Sequence, residues 1–453
     1  MKNGKDSEDL TRVGAGTVMG DFMRQYWIPA LKSGELKRDG DPVRLMLLGE
    51  KLLAFRDTQG RIGVMQHQCP HRCASLFLGR NEEGGIRCTY HGWKFDVEGN
   101  CVDMPSVPPA QDFKDKVKAK AYKVAERNGL VWVYMGPRAE PPPLPMVEVT
   151  MLPEAQTDIF FIQRQCNWMQ ALEGDIDTSH FGFLHVGHLE PSLVPSGHPL
   201  EHTSEERAPR YHVRDVPWGT SYGAYRAVRD EAGRDTTYWR FSNYMFPFWT
   251  QTPQGEFPRH VHARAWVPMD DEHTMFVHLR WRLVDSGMKN LLDPLHDGLP
   301  LAGSKPTLDF RPAGTGWFDR FRVVADESND WLIDREAQRT NRIFSGIDNV
   351  HLQDQAVTES MGPITDHSFE HLGPGDLMIA RTRRRALQAA RSFRETGLAP
   401  PGVDTPELFL SSRSGYFVAA SGADWQALYD RALTQCLRPA APTRQESKEA
   451  VAT

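Results

Sequence analysis

The sequence predicts a two-domain α+β protein: a small all-β N-terminal domain, then a larger domain of antiparallel strands with helices grouped on one side. Three observations predict it. Between Val43 and about Met135 the chain runs in short β-rich segments, among them Val43-Arg44-Leu45-Met46-Leu47-Leu48 and Leu130-Val131-Trp132-Val133-Tyr134, separated by Gly, Asp and Asn turns. Pro137 and then Pro141-Pro142-Pro143-Leu144-Pro145 form a stiff extended connector. Beyond it, strands from about 210 to 283 stand together, with helices expected near 167–184, 327–341 and 375–396, which implies layered α+β architecture and not a doubly wound sheet.

In chain order, residues 1–26 read as a polar extension leading into a first helix, punctuated by Gly14, Gly16 and Gly20. Residues 27–137 make the β domain, 138–150 the connector and 151–440 the second domain. The run from Asp285 to Gly316 is rich in Pro, Gly and Asp without periodicity and reads as a long loop or insertion. Residues 441–453 read as a disordered tail.

A chain of 453 residues exceeds one ordinary core. The net charge is −6, and the basic run Arg381 to Arg385 reads as one helix face, which argues against nucleic acid as a partner. No charged-then-apolar leader and no bilayer-length apolar run is present, so the expectation is a cytoplasmic protein without a membrane partner. Six cysteines in a chain this long do not make a disulfide framework.

Two of those cysteines belong to Cys69-Pro70-His71 and Cys88-Thr89-Tyr90-His91, with sixteen residues between the inner pair. Two thiolates suit one iron and two imidazoles the other, the ligand set of a Rieske [2Fe-2S] cluster, whose potential lies well above that of an all-cysteine ferredoxin. Zinc could also be held by two Cys and two His, but its pairs are usually C-x2-4-C and H-x3-5-H, whereas each loop here carries one of each. Pro70 stiffens the first loop, and Gly92 lets backbone approach the second. Cys-Pro-His-Arg and Cys-Thr-Tyr-His-Gly-Trp-Lys-Phe-Asp resemble the Rieske domain of the ring-hydroxylating oxygenases. That family usually has glycine where Cys73 stands; with Tyr90 and no spare cysteine in the second loop, Cys73 is expected to be a small buried residue.

A second constellation is Asp177-Thr178-Ser179-His180-Phe181-Gly182-Phe183-Leu184-His185. Two imidazoles and a carboxylate on one face of a metal form the triad of non-haem Fe(II) oxygenases. His180 and His185 are five apart, off a common helical face, so the helix must bulge or end near Gly182 for both to reach one metal. The stretch from Asn167 through Asp177 to His185 resembles the iron-binding helix of the same family. The resemblance implies that Asp177 is not a ligand but a hydrogen-bonded bridge between the iron site of one subunit and His91 of the next. The segment Gln353 to Ile364, continuing through Glu370-His371-Leu372-Gly373, resembles the late motif of the phthalate-dioxygenase branch, and the match makes Asp354 the carboxylate ligand. His371 and Glu359 are chemically capable alternatives.

The resemblance spans nearly the whole chain and implies an oxygenase component with a helix-grip catalytic domain, a [2Fe-2S] Rieske cluster and mononuclear Fe(II). It implies electrons from an NADH-dependent flavin and iron–sulfur reductase, O2 and an aromatic substrate as reactants, and assembly as a trimer or stacked trimers. No Gly-rich dinucleotide fingerprint is present, so NADH and flavin belong to the reductase. If the substrate is an aromatic carboxylate such as phthalate, an Arg fork is the expected clamp. Arg240 lies on an alternating strand that puts Tyr238, Arg240, Ser242 and Tyr244 on one face, and Arg207 is a second candidate. Cis-dihydroxylation is the expected chemistry; mono-oxygenation, O-demethylation and aryl-ether cleavage share its ligands. A Rieske carrier without catalysis leaves His180, His185 and Asp354 without a purpose, and a ligand carrier leaves both motifs without one.

Overall fold

In the computed structural model, the residues described are 4–187, 202, 206–230, 232–253, 255–257, 261–281 and 308–436. The expected loop from Asp285 lies largely, and the expected tail wholly, outside them.

The chain opens on two helices, α1 (Gly4–Thr11) and α2 (Val18–Met23). Thr17 caps α2 by accepting from the Gly20 N–H. The segment read as a polar extension therefore holds a buried apolar cluster, Val18, Met19, Phe22 and Met23.

Ten strands follow: β1 (Trp27–Lys32), β2 (Val43–Leu47), β3 (Glu50–Arg56), β4 (Ile62–Gln66), β5 (Arg80–Glu82), β6 (Gly85–Arg87), β7 (Lys94–Phe95), β8 (Cys101–Asp103), β9 (Ala121–Arg127) and β10 (Leu130–Tyr134). They form a six-stranded sheet ordered β1-β10-β9-β4-β3-β2 and a four-stranded sheet ordered β5-β6-β7-β8. The small sheet has its own core, in which Leu53, Phe55, Met65, Leu76, Ile86 and Phe95 surround Cys69 and Cys88.

The second domain is built on β11 (Thr157–Arg164), β12 (Arg210–Val216), β13 (Gly219–Arg229), β14 (Asp235–Met245), β15 (Trp249–Gln251), β16 (His262–Pro268), β17 (Thr274–Trp281) and β18 (Gly415–Ala420). Its order is β11-β17-β16-β15-β14-β13-β12, and β14 is long enough to pair with both β15 and β18 along one edge. Among the described residues its helices are α3 (Trp168–Ile176), α4 (Arg335–Arg339), α5 (Val350–Ser360), α6 (Leu377–Thr396) and α7 (Trp425–Cys436).

They do not all lie on one side. Register places Thr220, Tyr222, Ala224 and Arg226 opposite Tyr244, Ser242, Arg240 and Tyr238, so these eight share a face. Thr382 of α6 meets Thr220 on that face at 2.8 Å. The opposite face, with Tyr225, Trp239 and Phe241, packs on Trp425 and Tyr429 of α7. A sheet covered on both faces explains why Arg240 is buried and not solvated.

The two domains share one core. Trp132 stacks on Trp249 with ring centroids 6.0 Å apart, and the N–H groups of Leu48 and Gly49 donate to the carbonyls of Pro268 and Met269.

Candidate functional site

The two cluster loops are held by their own backbone. The Cys69 N–H donates to the Ala74 carbonyl and the Cys73 N–H to the Cys69 carbonyl; in the second loop Cys88 donates to Trp93, and Gly92 to Cys88. Gly92 has φ +79°, and a Cβ there would sit 2.6 Å from Pro105 Cγ, so the tight second loop requires glycine. Cys73 has φ +59° and is exposed, which corrects the expectation of a buried residue. Its backbone occupies the left-handed region glycine adopts freely, and the turn itself points the thiol outward.

These turns bury Cys69 and Cys88 while leaving the His71 and His91 rings half-buried, 4.4 Å apart between centroids. His71 stacks on Trp93 at 4.2 Å, and Tyr90 lies 3.9 Å from His91. Burial, with Cys88 as a close neighbour, pushes the Cys69 thiol up to about 11. A buried thiol pair beside a half-buried imidazole pair is the donor set a Rieske cluster needs, sulfur on the inner iron and nitrogen on the outer.

The second constellation begins where α3 ends. Asn167 caps the helix by accepting from the Met169 N–H, and Asp177 closes it in extended conformation, so the helix stops at Ile176 and does not run to 184. Asp177 Oδ1 then accepts from the N–H and Oγ of Ser179, turning the chain into a short 3-10 segment, His180–Gly182. That break lets both imidazoles face one point. Two anchors hold it in place. Glu173 is paired with Arg383 of α6, and Asp175 accepts from Arg264 of β16, Thr250 of β15 and Trp266. Such charge-assisted bonds contribute about 1.5–3 kcal/mol each.

The Nε2 atoms of His180 and His185 lie 3.5 and 3.3 Å from Asp354 Oδ1, and one donor atom from each residue falls within 4.8 Å of the others. Bonds of about 2.1 Å at roughly tetrahedral or octahedral angles put donors about 3.0–3.4 Å apart, so the three residues fit one small cation. Burial raises the Asp354 carboxyl, but His185 and His180 outweigh it and hold the group far below the carboxylate range. Burial lowers His180, and Asp177 and Asp354 more than offset it, so its pKa is raised. Asp177 Oδ2 stands 3.4 Å from His180 Nδ1, on the ring edge away from Asp354.

Of the alternative ligands, Glu359 accepts from the Gln165 N–H, Gln355 and Trp331, and His371 is exposed. A second group of ligand-type side chains, Glu173, His367 and Glu370, surrounds Arg383, which donates to both carboxylates and makes it an ion-pair network.

Sequence reasoning missed Gln353. His185 donates from Nδ1 to Gln353 Oε1 at 2.7 Å, and Gln353 Nε2 donates to the Ile347 carbonyl, which fixes the amide and leaves His185 Nε2 toward Asp354. Gln353→Leu is expected to weaken Fe(II) retention by about 10-fold without altering the cluster. Fe(II) titration of protein stripped of its mononuclear metal checks this, and wild-type affinity would remove Gln353 from the site.

Of the two arginines singled out from sequence, Arg240 is 2% exposed with its guanidinium 4.3 Å from the Phe181 ring centroid, between the two histidines in sequence. Arg207 is exposed and lies 5.2 Å from the Phe183 ring. Among the described residues, no helix is long and apolar enough to cross a membrane.

A family model of the Rieske [2Fe-2S] domain matches residues 26–119, and one described as LigXa C-terminal domain like matches residues 133–436. An electron-carrying cluster domain joined to such a catalytic domain defines the terminal oxygenases of aromatic ring-hydroxylating systems. The chain belongs to the Rieske non-haem iron aromatic oxygenases, whose members carry a [2Fe-2S] cluster and a mononuclear iron. The oxygenase subunit of 3-chlorobenzoate-3,4-dioxygenase from Comamonas testosteroni is 52% identical over 96% of this chain and 99% of its own length. The phthalate 4,5-dioxygenase oxygenase subunit of Pseudomonas putida is 36% identical over 92% of each chain. The terminal oxygenase of carbazole 1,9a-dioxygenase from Novosphingobium sp. KA1 shares the fold, with a TM-score of 0.50 at 18% identity over 82% of this chain and 95% of that one.

Proposed function

We propose that this chain hydroxylates an aromatic carboxylate by cis-dihydroxylation, using O2 and electrons from an NADH-dependent flavin and iron–sulfur reductase. Cys69, His71, Cys88 and His91 hold the cluster, and His180, His185 and Asp354 hold the mononuclear iron, which supplies activation of dioxygen when bound. Asp177 links the two, joining His180 to His91 of a neighbouring copy in a trimer or stacked trimers. The half-buried His71 and His91 rings and the partly exposed Asp177 carboxylate suit that contact.

One observation carries the substrate class. Arg240 is buried, and among the described residues its Nε and Nη1 have no hydrogen-bond partner while Nη2 makes a single 3.4 Å bond to the Pro253 carbonyl. A buried guanidinium without a counter-charge is costly, and a bound carboxylate meets its planar fork bidentately. The relatives named for 3-chlorobenzoate and phthalate support the same class.

Arg240→Ala is expected to raise KM for the preferred acid roughly ten- to a hundredfold, the equivalent of a charge-assisted bond of about 1.5–3 kcal/mol. The test is a panel of phthalate isomers, benzoates, methoxybenzoates, phenoxybenzoates and neutral arenes, scored by NADH and O2 use coupled to product. Neutral arenes turning over as well as acids, or an Arg240→Ala enzyme indistinguishable from wild type, would contradict the carboxylate reading.

A further inference from the structure

We infer that Arg226 is a second anion-binding residue on the Arg240 face, and that the two together select a ring carrying two carboxylates over a ring carrying one. The inference rests on the aromatic-carboxylate reading and names the substrate class within it. In the β13–β14 register Arg226 stands opposite Tyr238 and Arg240 opposite Ala224, so the two arginines are diagonal neighbours with side chains on one face. Diagonal neighbours across antiparallel strands lie about 7–8 Å apart.

Arg226 is 1% exposed. Its Nε donates to the Glu206 carbonyl at 2.7 Å, and its Nη1 has no partner among the described residues. The Tyr238 hydroxyl beside it is also buried without a partner among the described residues. The molecule treats its other buried arginines differently. Arg264 is paired with Asp175, Arg383 with Glu173 and Glu370, and Arg413 with Glu148. Arg164 lies over the Trp266 ring within the field of the Asp354 carboxylate. Among the described residues, no ion pair is made by Arg226 or Arg240.

Burial, and next the charge of Arg240, pull the Arg226 guanidinium down to about 10. Two like charges in a dry face raise each other's energy; the charge of Glu206 offsets part of this for Arg226, and anionic charge brought from outside relieves both. One carboxylate saturates one guanidinium fork. The second fork, with the Tyr238 hydroxyl in the field of both arginines, accommodates another.

The test uses Arg226→Met, which keeps length and removes charge, and Arg226→Lys, which keeps charge, both in the metal-loaded enzyme. Binding of phthalate, isophthalate, benzoate and 3-chlorobenzoate is measured by calorimetry under anaerobic conditions, with Tm recorded without ligand. Arg226→Met is expected to weaken the dicarboxylates by about tenfold or more while leaving the monocarboxylates within about twofold, with partial recovery in Arg226→Lys. Its unliganded Tm should equal or exceed that of wild type, because an unneutralised buried charge has been removed. Equal losses for mono- and dicarboxylates, no loss at all, or a lowered Tm marking a structural arginine would overturn the inference. The broader reading fails separately, if Arg240→Ala does not discriminate acids from neutral arenes.

Discussion

Asp354→Ala is expected to lose the mononuclear iron and to lower product formation roughly a thousandfold or more, while the cluster stays intact. On the proposed assignment Asp354 supplies the one anionic donor, its Oδ1 lying 3.3 and 3.5 Å from the imidazole nitrogens of His185 and His180. Without it, two histidines and water hold the cation weakly, and the several kcal/mol of barrier that a bound metal removes are lost. The cluster should not respond, because Cys69 and Cys88 lie in a separate core around Leu53, Phe55 and Phe95. Metal analysis and the EPR signal of the reduced cluster check both halves. A variant that keeps its full iron complement would return the ligand role to another carboxylate.

Asp177→Asn is expected to leave both metal sites filled and to slow coupled turnover by about 100-fold, at the upper end of the effect of a ligand's hydrogen-bond partner. Its Oδ1 accepts from Ser179, and an asparagine oxygen can keep those bonds. Its Oδ2, 3.4 Å from His180 Nδ1, becomes an NH2 group, so a donor then faces the imidazole N–H it was meant to receive. The local turn survives while the link from His180 outward is broken. Stopped-flow oxidation of the pre-reduced cluster with substrate and O2 isolates this step from reductase supply. Unchanged oxidation rates would show that electrons reach the iron by another path.

How much of this was legible in the sequence depended on how local each feature is. The cluster loops could be read because ligand, proline and glycine lie within a few residues of one another. His180 and His185 could be read for the same reason, although the helix ends earlier than their spacing alone required. Arg240 was visible through strand alternation, but its burial was not, because Phe181 lies over its guanidinium and β18 pairs alongside it, both contacts made from distant parts of the chain. Tyr416 of β18 pairs with Arg240 across the sheet, and short-range pattern carries no trace of that. Gln353 shows the same limit, since its role is set by a contact with a histidine 168 residues away. Arg207 and Arg226 look alike as letters. Only the register, which puts Arg226 beside Tyr238, separates an inward arginine from a solvated one. The N-terminal segment misled through composition, its charged residues masking the buried cluster of Val18, Met19, Phe22 and Met23.

Iron and acid-labile sulfide, counted on the purified holoprotein together with the EPR spectrum of its reduced form, test the two-site account most directly. Three irons and two sulfides per chain are expected, with a Rieske-type signal. Two irons and two sulfides would mark an electron carrier without a mononuclear centre, and zinc without sulfide would contradict the account at both sites.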